Sequence, residues 1–166
     1  LGNLQEAELS TRKAIELKPN FADSHSNLGN ILRDLGNLQE AELSTRKAIE
    51  LNPDLANAHY NLGNILRDLG NLQEAELSAR KALELNPNKA MVHYNLGIIL
   101  KDLGKLKESI LCYEKALNID NDLDEAKAGI GRILLQSGKL KEGLFRIREA
   151  YGSINFNYKN SNIIIN

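Results

Sequence analysis

A 34-residue repeat constrains the fold of this chain more than any other sequence feature. Residues 1–34 aligned with residues 35–68 differ at only six positions, and residues 69–102 differ from 35–68 at eight. Divergence increases toward the C-terminus. A period of this length indicates an array of repeated structural units, each packing mainly on its neighbours. The sequence therefore predicts a repeat array.

Each unit contains two segments with helical character. In residues 22–35 the apolar side chains recur at helical spacing and polar side chains occupy the other side. Gly36 predicts a left-handed stop, and Asn37 with Glu40 resembles a capping pair that starts a second helix. That helix extends to about Leu51, and Pro53 ends it because proline cannot continue a helix. We therefore predict two antiparallel helices per unit.

The unit resembles the tetratricopeptide repeat, whose pattern Trp-x2-Leu-Gly-x2-Tyr, Ala-x3-Phe, Pro has the same period. The residues that carry this resemblance are His25-x2-Leu28-Gly29-x2-Leu32, Ala41-x3-Thr45 and Pro53. The large aromatic residues of the family pattern are mostly replaced, and only Tyr113 keeps an aromatic side chain at the Phe place. The resemblance covers residues 1 to about 151. It implies an all-α fold, an α-solenoid of antiparallel helix pairs in a right-handed superhelix, similar to the repeat regions of O-linked N-acetylglucosamine transferases and of bacterial tetratricopeptide repeat proteins.

The repeat register predicts the organisation of the whole chain. We expect an array over residues 1–151, made of a half repeat 1–21, repeats 22–55, 56–89 and 90–123, and a degenerate repeat 124–151. The helix of the half repeat, from about Asn3 to Leu17, should expose an apolar face. Residues 152–166 alternate apolar and polar side chains, which predicts a short β-hairpin or an irregular tail, either as a cap or as the start of a further domain. Because residue 1 falls inside a unit and is not Met, we expect a longer parent protein.

Composition and charge narrow the function classes. The formal net charge of −1 gives no basic footprint for nucleic acid. No apolar run approaches the roughly 20 residues that a membrane span requires. Cys112, the only cysteine, cannot form an internal disulfide, which suits a reducing compartment. We therefore expect a cytoplasmic protein that binds neither nucleic acid nor membrane.

Three histidines recur at one place of successive units and could be taken for a metal row. His25, His59 and His93 occupy the Trp place of the repeat, so we interpret them as packing residues. Packed helices lie about 8–10 Å apart, whereas a zinc–nitrogen bond is about 2 Å long. No catalytic constellation or phosphate-binding loop rises above the repeat background. The sequence predicts no enzyme, no cofactor and no metal site.

A polar face on the first helix of each unit is the best candidate for a binding surface. The resemblance implies that this face lines a groove for extended peptides, with an asparagine ladder at Asn27, Asn61 and Asn95. An amide both donates and accepts, so a row of amides can hold a peptide main chain. The predicted peptide-binding residues are Asn27, Asn30, Arg33, Tyr60, Asn61, Asn64, Arg67, Met91, Tyr94, Asn95 and Lys101.

Three functions remain open from the sequence. The first is a protein–protein interaction scaffold that binds an extended peptide. The second is the substrate-recognition arm of a larger enzyme, of glycosyltransferase or sulfotransferase type, whose catalytic domain lies outside these residues. The third is a self-assembling module, a homo-oligomer formed through the uncovered N-terminal helix.

Overall fold

The computed structural model describes residues 2–152, 154–157 and 162–165, and divides into two compact units. Unit 1, Leu1–Asn88, contains α1 (Gly2–Leu17), α2 (Ala22–Asp34), α3 (Leu38–Leu51), α4 (Ala56–Asp68) and α5 (Leu72–Leu85). Unit 2, Lys89–Asn166, contains α6 (Ala90–Asp102), α7 (Leu106–Ile119), α8 (Asp124–Gln136), α9 (Leu140–Tyr151), β1 (Ile154–Asn157) and β2 (Asn162–Ile165). The predicted all-α fold of helix pairs is confirmed.

A glycine turn joins the two helices of each pair. Gly36 has φ of +84° and donates its N–H to the Arg33 carbonyl at 2.9 Å, while the Asn37 N–H reaches the Leu32 carbonyl at 2.8 Å. These two bonds satisfy the last free carbonyls of α2. Glycine is the residue that adopts positive φ without a Cβ penalty. The predicted left-handed stop at Gly36 is confirmed.

The predicted capping pair is wrong. The Asn37 side chain makes no capping hydrogen bond, although α3 begins directly after it. Glu40 instead accepts a hydrogen bond from Arg12 of α1 at 2.6 Å. A salt bridge to the neighbouring second helix therefore takes the carboxylate that the cap would have used.

Small residues allow the two helices of a pair to approach closely in unit 1. Ala41, Thr45 and Ala48 of α3 are each fully buried. A Cβ built on Gly29 of α2 would lie only 2.0 Å from the Thr45 Oγ1 atom. The α2–α3 contact therefore requires a glycine opposite the threonine.

Tyr113 takes the corresponding place in unit 2. Its ring is 2% exposed and belongs to a cluster with Ile130 and Ile133. A Cβ on Gly97 or on Gly129 would lie 2.6 Å or 2.9 Å from that ring. Burial raises the pKa of Tyr113 to about 12. The aromatic side chain thus fills the space that glycines leave on α6 and α8.

Two of the three repeated histidines hold their helix to the preceding turn. The Nε2 atom of His25 lies 2.7 Å from the Pro19 carbonyl, and that of His59 lies 2.8 Å from the Pro53 carbonyl. Because a carbonyl can only accept, each Nε2 carries the proton. These two histidines therefore hold the preceding turn through a hydrogen bond, and the packing role predicted from the sequence stays a prediction.

The C-terminal residues include a two-stranded hairpin. Strands β1 and β2 pair antiparallel, with Ile154 opposite Ile165 and Phe156 opposite Ile163. Tyr158, part of the predicted alternation, lies outside the described residues. The hairpin is confirmed, and its role as a cap stays a prediction. Across the part of the chain that the structure describes, every helix is too short or too polar to cross a bilayer.

Candidate functional site

The predicted asparagine places of unit 1 lie on two helices that contact each other, α2 and α4. Asn27 is exposed on α2, and Asn61 is partly buried on α4. The Asn61 Nδ2 atom donates to the Ser26 hydroxyl at 3.1 Å and lies 3.3 Å from the Ser26 carbonyl oxygen. Ser26 is 2% exposed. The Asn61 amide thus binds a neighbouring main-chain carbonyl within the chain itself.

The second predicted asparagine place is less accessible. Asn30 is partly buried on α2, whereas Asn64 on α4 is only 5% exposed. Tyr60, one turn before Asn64, is partly buried. At both asparagine places the side chain is therefore less accessible on α4 than on α2.

A charged cluster at the end of this face joins the two predicted arginines. Arg33 donates its Nε–H to Asp68 at 2.6 Å, and Arg67 donates from Nη2 to the same carboxylate at 2.7 Å. Burial alone would raise the pKa of Asp68, but the hydrogen bonds from Arg67 and Arg33 outweigh it and hold that pKa below its usual value. Asp68 therefore partly neutralises both arginines.

The four predicted residues of unit 2 lie on α6 in different surroundings. Met91 is 42% exposed, whereas Asn95 is 9% exposed. Lys101 lies 3.2 Å from Asp102. The Tyr94 ring packs on the Tyr113 ring at a centroid distance of 5.7 Å. Two of the four, Tyr94 and Lys101, line a pocket.

This pocket, called here the α6–α8 pocket, has a volume of about 280 Å³. Its lining residues are Tyr94, Ile98, Lys101, Tyr113, Glu125, Gly129, Arg132 and Gln136. Rings and aliphatic carbons form one part of the lining, and charges of both signs and an amide form the rest. The lining is more polar than apolar, so the pocket offers charged and hydrogen-bonding contacts beside its apolar part.

Sequence reasoning missed the α8 side of this pocket. Glu125 and Arg132 occupy the places of Met91 and Ile98 one repeat further along the chain. Gly129 occupies the place of Asn95, and the missing side chain leaves the Tyr113 ring in contact with the pocket. Extending the repeat register into the degenerate unit would have found these residues.

Comparison with known proteins identifies the repeat. Three models of the tetratricopeptide repeat match the sequence, at residues 11–42, 29–70 and 54–122. No curated protein matches the sequence.

Known structures of tetratricopeptide repeat proteins share the fold. One is the crystal structure of MamA, whose sequence is 26% identical to this chain. The TM-score is 0.80, and the match covers 90% of this chain and 87% of the MamA chain. YrrB, a tetratricopeptide repeat protein with an unusual peptide-binding site, is 28% identical with a TM-score of 0.73, over 84% of this chain and 74% of YrrB. The pilF protein of Pseudomonas aeruginosa is 22% identical with a TM-score of 0.81, over 92% of this chain and 71% of that one.

Proposed function

Because the chain belongs to the tetratricopeptide repeat family, we propose that it is an interaction scaffold that binds an extended segment of a partner protein. The proposed contact surface of unit 1 is the polar face of α2 and α4, and that of unit 2 is the face of α6 and α8. The observation that carries the proposal is the α6–α8 pocket, which lies on the predicted face. The peptide-binding site of YrrB, at 28% identity, supports the same class of partner.

The chemistry of the α6–α8 pocket suits one side chain of a bound peptide. The Tyr94 ring and the Ile98 side chain, both partly buried, provide an apolar contact beside the buried Tyr113 ring. Glu125 and Arg132, both exposed on α8, can bind the polar groups next to it. The pocket therefore suits a side chain that has an apolar part and a polar end.

The amides of unit 1 suit the peptide main chain. Asn27 is exposed and offers both a donor and an acceptor. Asn61 already donates to Ser26, so its Oδ1 atom is the group that would accept a main-chain N–H of the peptide. Because Arg33 and Arg67 both donate to Asp68, the amides are the groups in this unit that bind the peptide main chain.

Selection from a random peptide library tests this function. Peptides that bind the parent chain should bind the Asn27→Ala, Asn61→Ala, Asn95→Ala triple variant and the Arg132→Gln, Gln136→Ala double variant at least about tenfold more weakly, equivalent to about 1.4 kcal/mol. Fluorescence anisotropy measures the affinities. Lys47→Ala, which removes an exposed ion pair with Glu50 on α3, is the control and should bind like the parent. Equal binding by all variants, with unchanged circular dichroism, would overturn the proposal.

The other sequence-based hypotheses stay predictions. They are a substrate-recognition arm of a glycosyltransferase or sulfotransferase, self-assembly through the N-terminal helix, and a cytoplasmic location. One structural fact bears on self-assembly, because α1 has no buried residue.

A further inference from the structure

A groove between successive second helices recurs in both units. In unit 1 it runs between α3 and α5 with α4 beneath, and has a volume of about 510 Å³. In unit 2 it runs between α7 and α9 with α8 beneath, and its larger part has a volume of about 630 Å³. Five lining positions of the α3–α5 groove recur in the α7–α9 groove two repeats later. Written as residue numbers in the first and second groove, they are 46/114, 62/130, 74/142, 77/145 and 78/146. The groove is thus a property of the repeat.

The α7–α9 groove is separate from the α6–α8 pocket. Ile130 and Leu134 of α8 line the groove, whereas Glu125, Arg132 and Gln136 line the pocket. At helical spacing these two sets project from opposite faces of α8. A ligand in the groove therefore leaves the pocket open.

In unit 1 an arginine spans this groove. Arg46 of α3 lies 2.9 Å from Glu42 on its own helix and 2.5 Å from Glu74 on α5. The hydrogen bond that Arg46 donates to Glu74 is the main cause of the raised pKa of its guanidinium. Arg12, 34 residues earlier, makes the same pair of contacts with Glu8 and Glu40. The repeat therefore places one guanidinium between two carboxylates.

In unit 2 the guanidinium is missing while a carboxylate that it would meet remains. Glu114 stands at the place of Arg46, Ile110 at the place of Glu42, and Glu142 at the place of Glu74. Glu114 and Glu142 line the same groove, so like charges stand at the two places that form an ion pair in unit 1. Arg146, Lys139 and Lys141 line the groove as well, at other places. Lys139 lies 3.6 Å from Glu142, a longer contact than the one Arg46 makes with Glu74.

The remaining charges around the groove are largely paired. Arg146 lies 3.1 Å from Glu149, and Lys127 lies 2.9 Å from Asp124. Lys141 is exposed at the rim of the groove. Glu114 is exposed and lines the groove, so its carboxylate is a charge that a partner can complement.

Apolar side chains lie next to these carboxylates. Ile110 is one turn before Glu114 on α7, and Phe145 on α9 is 60% exposed. Ile130 and Leu134 form the floor between them. One helical turn is about 5.4 Å, which sets the distance between the apolar and the acidic part of the groove.

We propose that the α7–α9 groove is a second docking site, for a segment of a partner protein that carries an arginine and a large apolar side chain about one helical turn apart. The arginine binds between Glu114 and Glu142, as Arg46 does between Glu42 and Glu74. The apolar side chain packs on Ile110, Ile130 and Phe145. Charge-assisted bonds from a guanidinium to carboxylates are among the stronger polar contacts at interfaces.

A defined probe peptide tests the docking site directly. The probe is an acetylated and amidated alanine–glutamine helix of about 12 residues with one leucine and one arginine four positions apart. Titration followed by NMR should show saturable shifts at the backbone amides of Ile110, Glu114 and Phe145. Replacing the arginine by citrulline should weaken binding at least about tenfold. Absence of saturation up to about 1 mM, or equal binding of the citrulline peptide, would overturn the proposal.

Two variants use the repeat as its own control. Glu114→Arg places an arginine opposite Glu142, which should fill the site and weaken probe binding at least about tenfold. Glu16→Arg on α1 changes the net charge equally and should bind the probe like the parent. The double variant Glu42→Ile, Arg46→Glu gives α3 the residues that α7 has at these two places and should add a second site with shifts at Leu77.

The outcomes separate this proposal from the proposed function. If Glu114→Arg binds the probe as tightly as Glu16→Arg does, the groove is not the site and the inference is wrong. Library-selected peptides that depend on Arg132 and Gln136 test the α6–α8 pocket instead, on the opposite face of α8.

Discussion

Gly29 shows how one repeat position depends on its partner in the next helix. A Cβ at Gly29 would lie 2.0 Å from Thr45 Oγ1 and 3.0 Å from the Ala41 carbonyl oxygen. At Gly63, one repeat later, the facing residue is Ala79, and a Cβ would lie 3.6 Å from the Ala79 Cβ and 3.3 Å from the Ala75 carbonyl oxygen. The same sequence position is therefore much more crowded in one repeat than in the next.

We expect Gly29→Ala and Gly63→Ala to differ in stability for this reason. Both substitutions gain about 1 kcal/mol of helix propensity. Overpacking against Thr45 should cost Gly29→Ala about 1–3 kcal/mol, whereas Gly63→Ala should stay within about 1 kcal/mol of the parent. Urea unfolding followed by far-UV circular dichroism measures the free energies, and Thr45→Ala should partly rescue Gly29→Ala. Equal stability of the two glycine variants would contradict the packing described here.

Several residue-level features could not be predicted because they depend on pairs far apart in the sequence. Glu40 was assigned to a cap, but Arg12, 28 residues away, takes its carboxylate. Arg33 was assigned to peptide binding, but Asp68, 35 residues away, holds it. A repeat register gives the place of each side chain on its own helix. It does not predict which of two neighbouring groups the side chain will bind.

At the scale of elements, α1 and α3 have one sequence and two environments. Residues 1–17 and 35–51 are identical. Ala48 of α3 is fully buried against α2, whereas Ala14 at the same place of α1 is exposed. Since local sequence is the same, the difference in burial comes from tertiary packing alone. The two helices form an internal control for the worth of that packing.

Replacing Ala48 and Ala14 by leucine, one at a time, measures how much this tertiary packing contributes to stability. Ala48→Leu inserts a larger side chain into a closed contact and should lower the free energy of unfolding by about 1–3 kcal/mol. Ala14→Leu should change it by no more than about 0.5 kcal/mol, as exposed substitutions usually do. Urea midpoints of the two variants, with equal helix propensity at both sites, give the comparison. A large loss for Ala14→Leu would mean that α1 is covered in solution.

At the scale of the whole molecule, the period allowed most of the fold to be predicted. The predicted first helix 22–35 is observed as Ala22–Asp34, and the predicted second helix ends at Leu51 as observed. Each repeat supplied an independent copy of the same pattern, so boundary signals reinforced one another. The grooves were missed because they form between second helices. Glu114 on α7 and Glu142 on α9 come to line one groove only after successive repeats pack together. In the divergent repeat 124–151, several of the residues that differ from the other repeats line the α6–α8 pocket.

Because the repeats are nearly identical, one 34-residue period can be deleted from the chain without changing the repeat register. Deleting residues 18–51 joins Leu17 to Asn52, and the native junction is Leu51 to Asn52 with the same preceding sequence. In the shortened chain α1 should therefore pack on α4 as α3 does. Stability of a repeat array is approximately a sum over units and their interfaces. The variant should be less stable than the parent and have a smaller urea m-value, because less surface is exposed on unfolding.

Circular dichroism and urea unfolding check this expectation against an out-of-register control. Deleting residues 18–49 instead leaves Glu50 and Leu51 after α1, a two-residue insertion that rotates the partner face of the helix by about 200°. That chain should lose helical signal per residue and cooperative unfolding, whereas the one-period deletion keeps both. If the two deletions behave alike, the repeats are not interchangeable packing units, and the register that defines both proposed surfaces would no longer hold.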